Sequence, residues 1–268
     1  MTAASSRPHP LPSGPPTLVA VAHGSRDPAA LRTVTALLNA VRALRPDVPV
    51  QLGHIELNRP LLADTLAALR GEAVLVPLLL GRGYHVKEDL PAAVAAAAHL
   101  TTHIAAPLGP HPLLAEALHA RLSEASQRHR TRRRPQAVVL AAAGSRDPDA
   151  AVDATATATL LSARLGGIPV VPAYASSAAP TVADAVRALA PYVPHTPYAP
   201  HGDRRRDIAV ASYFTAPGRF ATQCADAAPG IAAAPLGAHP AVARLVLHRY
   251  EQALSSAPLS YRAVTVGV

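Results

Sequence analysis

The segment His23-Gly24-Ser25-Arg26-Asp27-Pro28 recurs 120 residues later as Ala143-Gly144-Ser145-Arg146-Asp147-Pro148. Five consecutive residues are kept. The one lost is a histidine, the side chain able to bind a metal or move a proton near neutral pH. Other matches follow at the same offset: Pro49-Val50 with Pro169-Val170, Pro60 with Pro180, Ala63-Asp64 with Ala183-Asp184, and Ala68-Leu69 with Ala188-Leu189. The offset grows to 135 at Gly83 and Gly218, where the second copy carries a longer loop over 192–207, and settles at 128 for Pro107-Leu108-Gly109 and Pro235-Leu236-Gly237. An ordered series of this kind is a duplication. Asp27 and Pro28 suit a helix start, but a cap gives no reason for the histidine before them.

Alternating apolar runs and capped amphipathic stretches set the fold class. Thr17–Ala22 and Ala73–Leu80 are uninterrupted apolar runs, as expected of strands buried on both faces. Val50–Leu57 and Thr102–Ala105 read as further strands, with helices from Asp27, Asn58, about Lys87 and His111 between and after them. The second copy repeats the order, with strands near 137–142, 168–175, 208–214 and 230–234. This predicts an α/β protein of two similar lobes, each a four-stranded parallel sheet flanked by helices, with a cleft between them. The expected organisation is a disordered tail at 1–16, an N-terminal lobe at 17–126, a basic linker at 127–136, a degenerate C-terminal lobe at 137–255 and a tail at 256–268, with a short strand at YRAVTV.

Composition narrows the function classes. The chain has 268 residues, half of them apolar, no Trp and one cysteine, Cys224. The core must be built from Ala, Leu and Val. One thiol excludes an internal disulfide framework and a cysteine-only zinc or iron–sulfur site within one chain. No apolar run reaches the roughly 18 residues of a membrane span, and residues 1–16 lack a signal-peptide core, so a cytoplasmic protein is expected. The net charge of +8 favours anionic partners. The arginines at 128–134 and 204–206 lack interleaved aromatics, so a solvated linker and loop are expected rather than a nucleic-acid surface.

Of thirteen histidines, His23 and His85 stand out. Each follows a buried strand of the first copy, at the carboxyl end where ligands bind in such sheets. Each lies in a glycine-containing loop, AHGSR and GRGYHVKED. Glu56, in GHIELNRP, should reach the same cleft edge. Its counterpart in the second copy is Ser176, and that of His85 is Phe220. His54 shares the strand face of Glu56 and is read as a partly buried surface histidine, with a further ligand as the alternative, and His111 and His239 as helix-start residues. Two imidazoles and a carboxylate can hold a first-row divalent ion or accept protons near pH 7. Many metal-dependent enzymes share such ligands.

Three motifs in order, His23–Pro28, Glu56–Pro60 and Leu79–Pro91 (LLGRGYHVKEDLP), resemble the CbiX/SirB class of sirohydrochlorin chelatases. The resemblance covers residues 17 to about 255, in a long form with two fused copies. It implies insertion of Fe²⁺ or Co²⁺ into sirohydrochlorin without ATP or an organic cofactor, for sirohaem or cobalamin synthesis. By that resemblance His23 and His85 bind metal and accept protons, assisted by Glu56. Ser25, Arg26, Gly83, Arg82, Arg219 and Phe220 are the expected substrate contacts, with Lys87 and Arg146 as further cations for the carboxylates. The expected partner is the anionic tetrapyrrole, not nucleic acid or membrane, and the expected state is a monomer with one site between the lobes. Alternatives from other classes are a non-catalytic tetrapyrrole or metal carrier and a metal-dependent hydrolase. No P-loop or dinucleotide fingerprint follows any strand.

Overall fold

The apolar run Thr17–Ala22 divides its side chains between two layers, as a strand buried on both faces must. Leu18, Ala20 and Ala22 enter one hydrophobic cluster, while Val19 and Val21 enter another on the opposite face. The computed structural model describes residues 14–129, 134–193 and 204–256. The expectations for residues 1–13, for 130–133 of the basic linker, for 194–203 of the long loop and for the tail from 257 fall outside the described residues.

In the first half the elements are β1 (Thr17–Ala22), α1 (Pro28–Leu44), β2 (Val50–His54), α2 (Leu62–Ala68), β3 (Glu72–Pro77), α3 (Leu90–Ala96), β4 (Thr101–Ile104) and α4 (Pro112–Arg128). The second half has β5 (Ala137–Ala142), α5 (Pro148–Arg164), β6 (Val170–Tyr174), α6 (Val182–Leu189), β7 (Ile208–Ser212), α7 (Arg219–Asp226) and α8 (Pro240–Ser256). All ladders are parallel, in the orders β2-β1-β3-β4 and β6-β5-β7.

The second sheet therefore has three strands, not the four expected. Its fourth position is reduced to one bridge, Val210 with Ala232, flanked by the bonds Val210 N to Ile231 O and Ala233 N to Val210 O. The segment there is Pro229-Gly230-Ile231-Ala232-Ala233-Ala234-Pro235. Proline at both ends limits the ladder, and alanine packs weakly on a pleated surface.

The duplication is visible in matched backbone bonds. Glu56 N donates to His23 O as Ser176 N donates to Ala143 O, and Leu78 N to Val21 O as Tyr213 N to Ala141 O. These pairs bear out the offsets of 120 and 135. The sequence units are nevertheless not the packing units. Helix α4 packs on α5 and β7 of the second half, while α8 packs on α1, β3 and β4 of the first. Matched arginines tie each helix down: Arg121 donates to Leu236 O and Arg249 to Leu108 O. The four long helices and the inner faces of both sheets form one continuous core, which includes Leu37, Leu118, Leu140, Leu161 and Tyr250. Separate clusters fill the outer faces, under α2 and α3 on one side and α6 and α7 on the other.

Candidate active site in the cleft between the lobes

The carboxyl ends of β1, β2 and β3 open into a cleft of about 1100 Å³, whose opposite wall comes from the second half. His23, Glu56 and His85 line it from one side; Ala143, Tyr174, Phe214 and Phe220 line it from the other.

The loop after β1 is built so that little else would fit. Gly24 has φ +106°, and a Cβ there would lie 1.9 Å from the Glu56 carbonyl oxygen. Only glycine accepts both the dihedral and the approach. Ser25 Oγ accepts from Asp27 N at 3.1 Å, and Asp27 Oδ1 accepts from Ala29 N at 2.8 Å, closing the N-terminus of α1. The second copy repeats each feature: Gly144 has φ +92° and its Cβ would lie 1.8 Å from Ser176 O, Ser145 Oγ accepts from Asp147 N, and Asp147 Oδ1 from Asp149 N. GSRDP is thus a strand-to-helix turn needed by both halves, and the histidine before it is independent of that need.

The structure brings the three candidate residues together. The His23 and His85 rings meet edge-on with centroids 4.6 Å apart, and His23 Nδ1 lies 3.6 Å from Glu56 Oε1. His85 starts a π-helical turn, His85–Asp89, closed by the bond from Leu90 N to His85 O. Such turns are frequent at functional sites. This one brings Asp89 Oδ2 to 2.5 Å from His85 Nδ1. Each imidazole then has a carboxylate on its Nδ1 side, and each Nε2 has no hydrogen-bond partner among the described residues. Both rings remain partly exposed, His23 at 43% and His85 at 36%. Among the described residues, no three or more His, Cys, Asp or Glu side chains are gathered as a preformed metal cage.

Two positioning residues escaped the sequence reading. Asp89 lies inside the LLGRGYHVKEDLP motif, and its i+4 spacing from His85 is the signal that could have found it. Asn58 Oδ1 accepts from Ser25 N at 2.6 Å and so ties the Glu56 loop to the His23 loop. Its counterpart is Ala178, a fourth polar loss in the second copy. Leu57, between Glu56 and Asn58, holds φ +66°, and Ser177 repeats this at +59°, so that turn belongs to the scaffold.

Other expectations shift. His54 is 2% exposed rather than a partly buried surface histidine; its Nδ1 lies 3.1 Å from Pro60 O, and the residue lines the cleft. Arg82 lines the cleft too, but its guanidinium is already bonded to Asp153 and its backbone N–H to the same carboxylate. Lys87 is likewise held, by Asp147 and Asp149. Both cations serve the contact between halves, because helix α5 presents its carboxylates at that point. Arg26, Arg219, Gly83 and Phe220 do line the cleft, and the Arg219 guanidinium sits 5.7 Å from the Phe220 ring centroid. His111 and His239 cap α4 and α8, each Nδ1 accepting a backbone N–H at 3.1 Å.

Comparison with known proteins bears on this geometry. The CbiX family profile matches residues 17–125 and again 137–253. A sirohydrochlorin cobaltochelatase of Methanococcoides burtonii is 31% identical over 78 residues, 28% of this chain. The chain spans 60% of the length of that relative. SirB from Bacillus subtilis with Fe³⁺ superposes with a TM-score of 0.68 at 21% identity, over 88% of this chain and 94% of that one. The sirohydrochlorin chelatase SirB from Bacillus subtilis subspecies spizizenii in complex with cobalt gives 0.68 at 22% identity, over 90% and 96%. At those identities the likeness is one of fold. The two profile matches together cover most of the chain, the fold agrees along nearly its whole length, and on that ground the protein belongs to the CbiX family, with two copies of the family's domain in tandem.

Proposed function

We propose that this protein is a sirohydrochlorin chelatase that inserts Fe²⁺ or Co²⁺ into the macrocycle without ATP, using one site per chain in the first lobe. One observation carries the reading: the edge-on pair His23–His85 stands beside Glu56 in a two-walled cleft, with Ala143, Ser176 and Phe220 at the matching positions of the second copy.

Metal insertion makes two demands: the ion must exchange ligands, and two ring nitrogens must lose protons. Imidazole nitrogen is a borderline donor suited to both Fe²⁺ and Co²⁺, and it accepts protons near neutrality. Two histidines and a half-exposed glutamate hold an ion loosely enough to release it, whereas a closed cage would bind substrate too well and slow transfer. Asp89 on Nδ1 of His85 directs Nε2 to the metal or the proton. Glu56, 53% exposed, is free to pass protons to solvent. The ring then lies between the lobes with Phe220 against one face; Ser25, Arg26, Gly83, Arg82 and Arg219 form the surround, although Arg82 acts there through the wall it braces. The product is sirohaem, or cobalt-sirohydrochlorin for cobalamin synthesis.

Anaerobic incubation with sirohydrochlorin and either ion, followed by absorbance, tests this. Wild type should exceed the spontaneous rate, and His23→Ala and His85→Ala should each fall at least tenfold towards it, in line with general acid–base contributions of roughly 10²–10⁴. Insertion by both variants at the wild-type rate would refute the site. Retention of metal or product without turnover would point instead to a carrier. Phe220→Ala should weaken substrate affinity; an unchanged KM would remove the ring-packing role.

A further inference from the structure

The two edges of the cleft are related by the duplication, yet they are built differently. At one edge, the loop Gly81–His85 of the first half meets the turn at Ser145 and helix α5. Arg82 Nη2 bonds Asp153 Oδ1 at 2.7 Å, its backbone N–H bonds Asp153 Oδ2 at 2.7 Å, and Asp149 lies 3.6 Å from Nη1. Lys87 Nζ lies 2.7 Å from Asp147 and 2.9 Å from Asp149. The Asp153 side chain is only 3% exposed. Two cations and three carboxylates are thus fastened across the halves.

At the other edge, the equivalent loop Ala216–Phe220 meets the turn at Ser25 and helix α1. The approach is equally close: a Cβ on Gly218 would lie 3.4 Å from Ser25 Oγ, as one on Gly83 would lie 3.6 Å from Ser145 Oγ. The fastening is missing. Pro217 and Thr222 stand for Arg82 and Lys87, and Ala29 and Thr33 stand for Asp149 and Asp153. Thr33 Oγ1 is spent on Ala29 O of its own helix. Arg26 and Arg219 are exposed here, without a carboxylate partner among the described residues. Both line the main cleft, whereas Arg146, the counterpart of Arg26, lines a separate cavity of about 590 Å³ with Lys87, Asp147 and Asp149.

We propose that the cleft works from one edge: Arg82 and Lys87 latch the first edge onto Asp147, Asp149 and Asp153, and Arg26 and Arg219 grip the carboxylates of the macrocycle at the opposite edge. An arginine without a partner keeps its planar fork for bidentate carboxylate binding. At the latched edge Arg82 and Lys87 are already engaged, and Arg146 lines the separate cavity beside Asp147 and Asp149 rather than the main cleft. The proposal rests on the tetrapyrrole reading but not on catalysis, so its test avoids metal insertion.

The test is titration of the full chain with metal-free uroporphyrin I, an octacarboxylate porphyrin, by fluorescence quenching. Arg26→Gln with Arg219→Gln should raise Kd about tenfold, from two partly exposed ion pairs. Arg146→Gln, and the charge-matched control Arg32→Gln with Arg128→Gln, should stay within about twofold. Lys87→Gln should lower the melting temperature and leave Kd within the same limit. An effect of Arg146→Gln equal to that of the double variant, or no effect of the double variant, overturns the assignment of edges. Arginine-dependent binding by a protein that inserts no metal would sink the chelatase reading and leave the edges standing. Absence of any uroporphyrin binding by wild type would remove both.

Discussion

Gly24 and Gly144 occupy equivalent positions with nearly the same backbone and the same obstacle, a carbonyl oxygen under 2 Å from where a Cβ would stand. Alanine at either should destabilise by at least about 2 kcal/mol, since positive φ strain of roughly 1–3 kcal/mol adds to a backbone displacement. Thermal melts should show similar losses for both. Only Gly24→Ala should also abolish metal insertion, because the displaced carbonyl belongs to Glu56. Equal loss of activity in Gly144→Ala would mean that the second turn shapes the site directly. Asp89→Asn keeps the shape but removes the carboxylate 2.5 Å from His85 Nδ1. It should lower kcat about tenfold or more, as partners that orient a ligand commonly do, with Asp89→Glu recovering part of it. A variant as fast as wild type would show that His85 needs no orienter.

Helices α4 and α8 both begin at a histidine whose Nδ1 accepts the first free backbone N–H. That role needs a neutral ring. Burial, then Arg249 and His248, push His111 below the usual histidine value; burial, then Arg121, do so for His239. The unfolded chain therefore takes up protons first as pH falls. Stability from these caps is fully present above about pH 6.5 and is lost as pH drops through the lower folded values. The melting temperature should fall between pH 7 and pH 5, with each cap worth about 1 kcal/mol. The double variant His111→Asn with His239→Asn, which caps without titrating, should reduce that dependence; an unchanged slope would assign it elsewhere. At this scale much was legible beforehand. Strand starts, the GSRDP turn and both cap histidines follow from period and capping chemistry, whereas β2 and β3 each stop three residues before their apolar runs do. The π-helical turn did not, because i+5 bonding leaves no periodicity in five residues, and so the Asp89–His85 pairing stayed hidden.

The exchange of α4 and α8 between sheets was also out of reach of the sequence. Repeat offsets say which segments correspond, not which sheet a closing helix covers, and either choice buries the same apolar stripe. The fastening of Arg82 and Lys87 was missed for a related reason: their partners lie 60 and 71 residues away in the other half. The exchange makes the halves interdependent. Residues 1–129 produced alone would leave α1 and the inner face of β3 and β4 without α8, and should aggregate or pair with a second copy. Produced together with 134–268, they should assemble into a stable one-to-one complex with chelatase activity. A well-folded, monomeric first half would show that α8 adds little to the sheet it covers.

That exchange also has a genetic consequence. The seventeen residues of α8 shield the sheet carrying His23, Glu56 and His85, although they are encoded within the second copy. A premature stop ahead of Pro240 would strip the first half of its cover while sparing most elements of the second. The second copy, which carries Ala143, Ser176 and Phe220 at the matching positions, still supplies the helix that covers the first sheet.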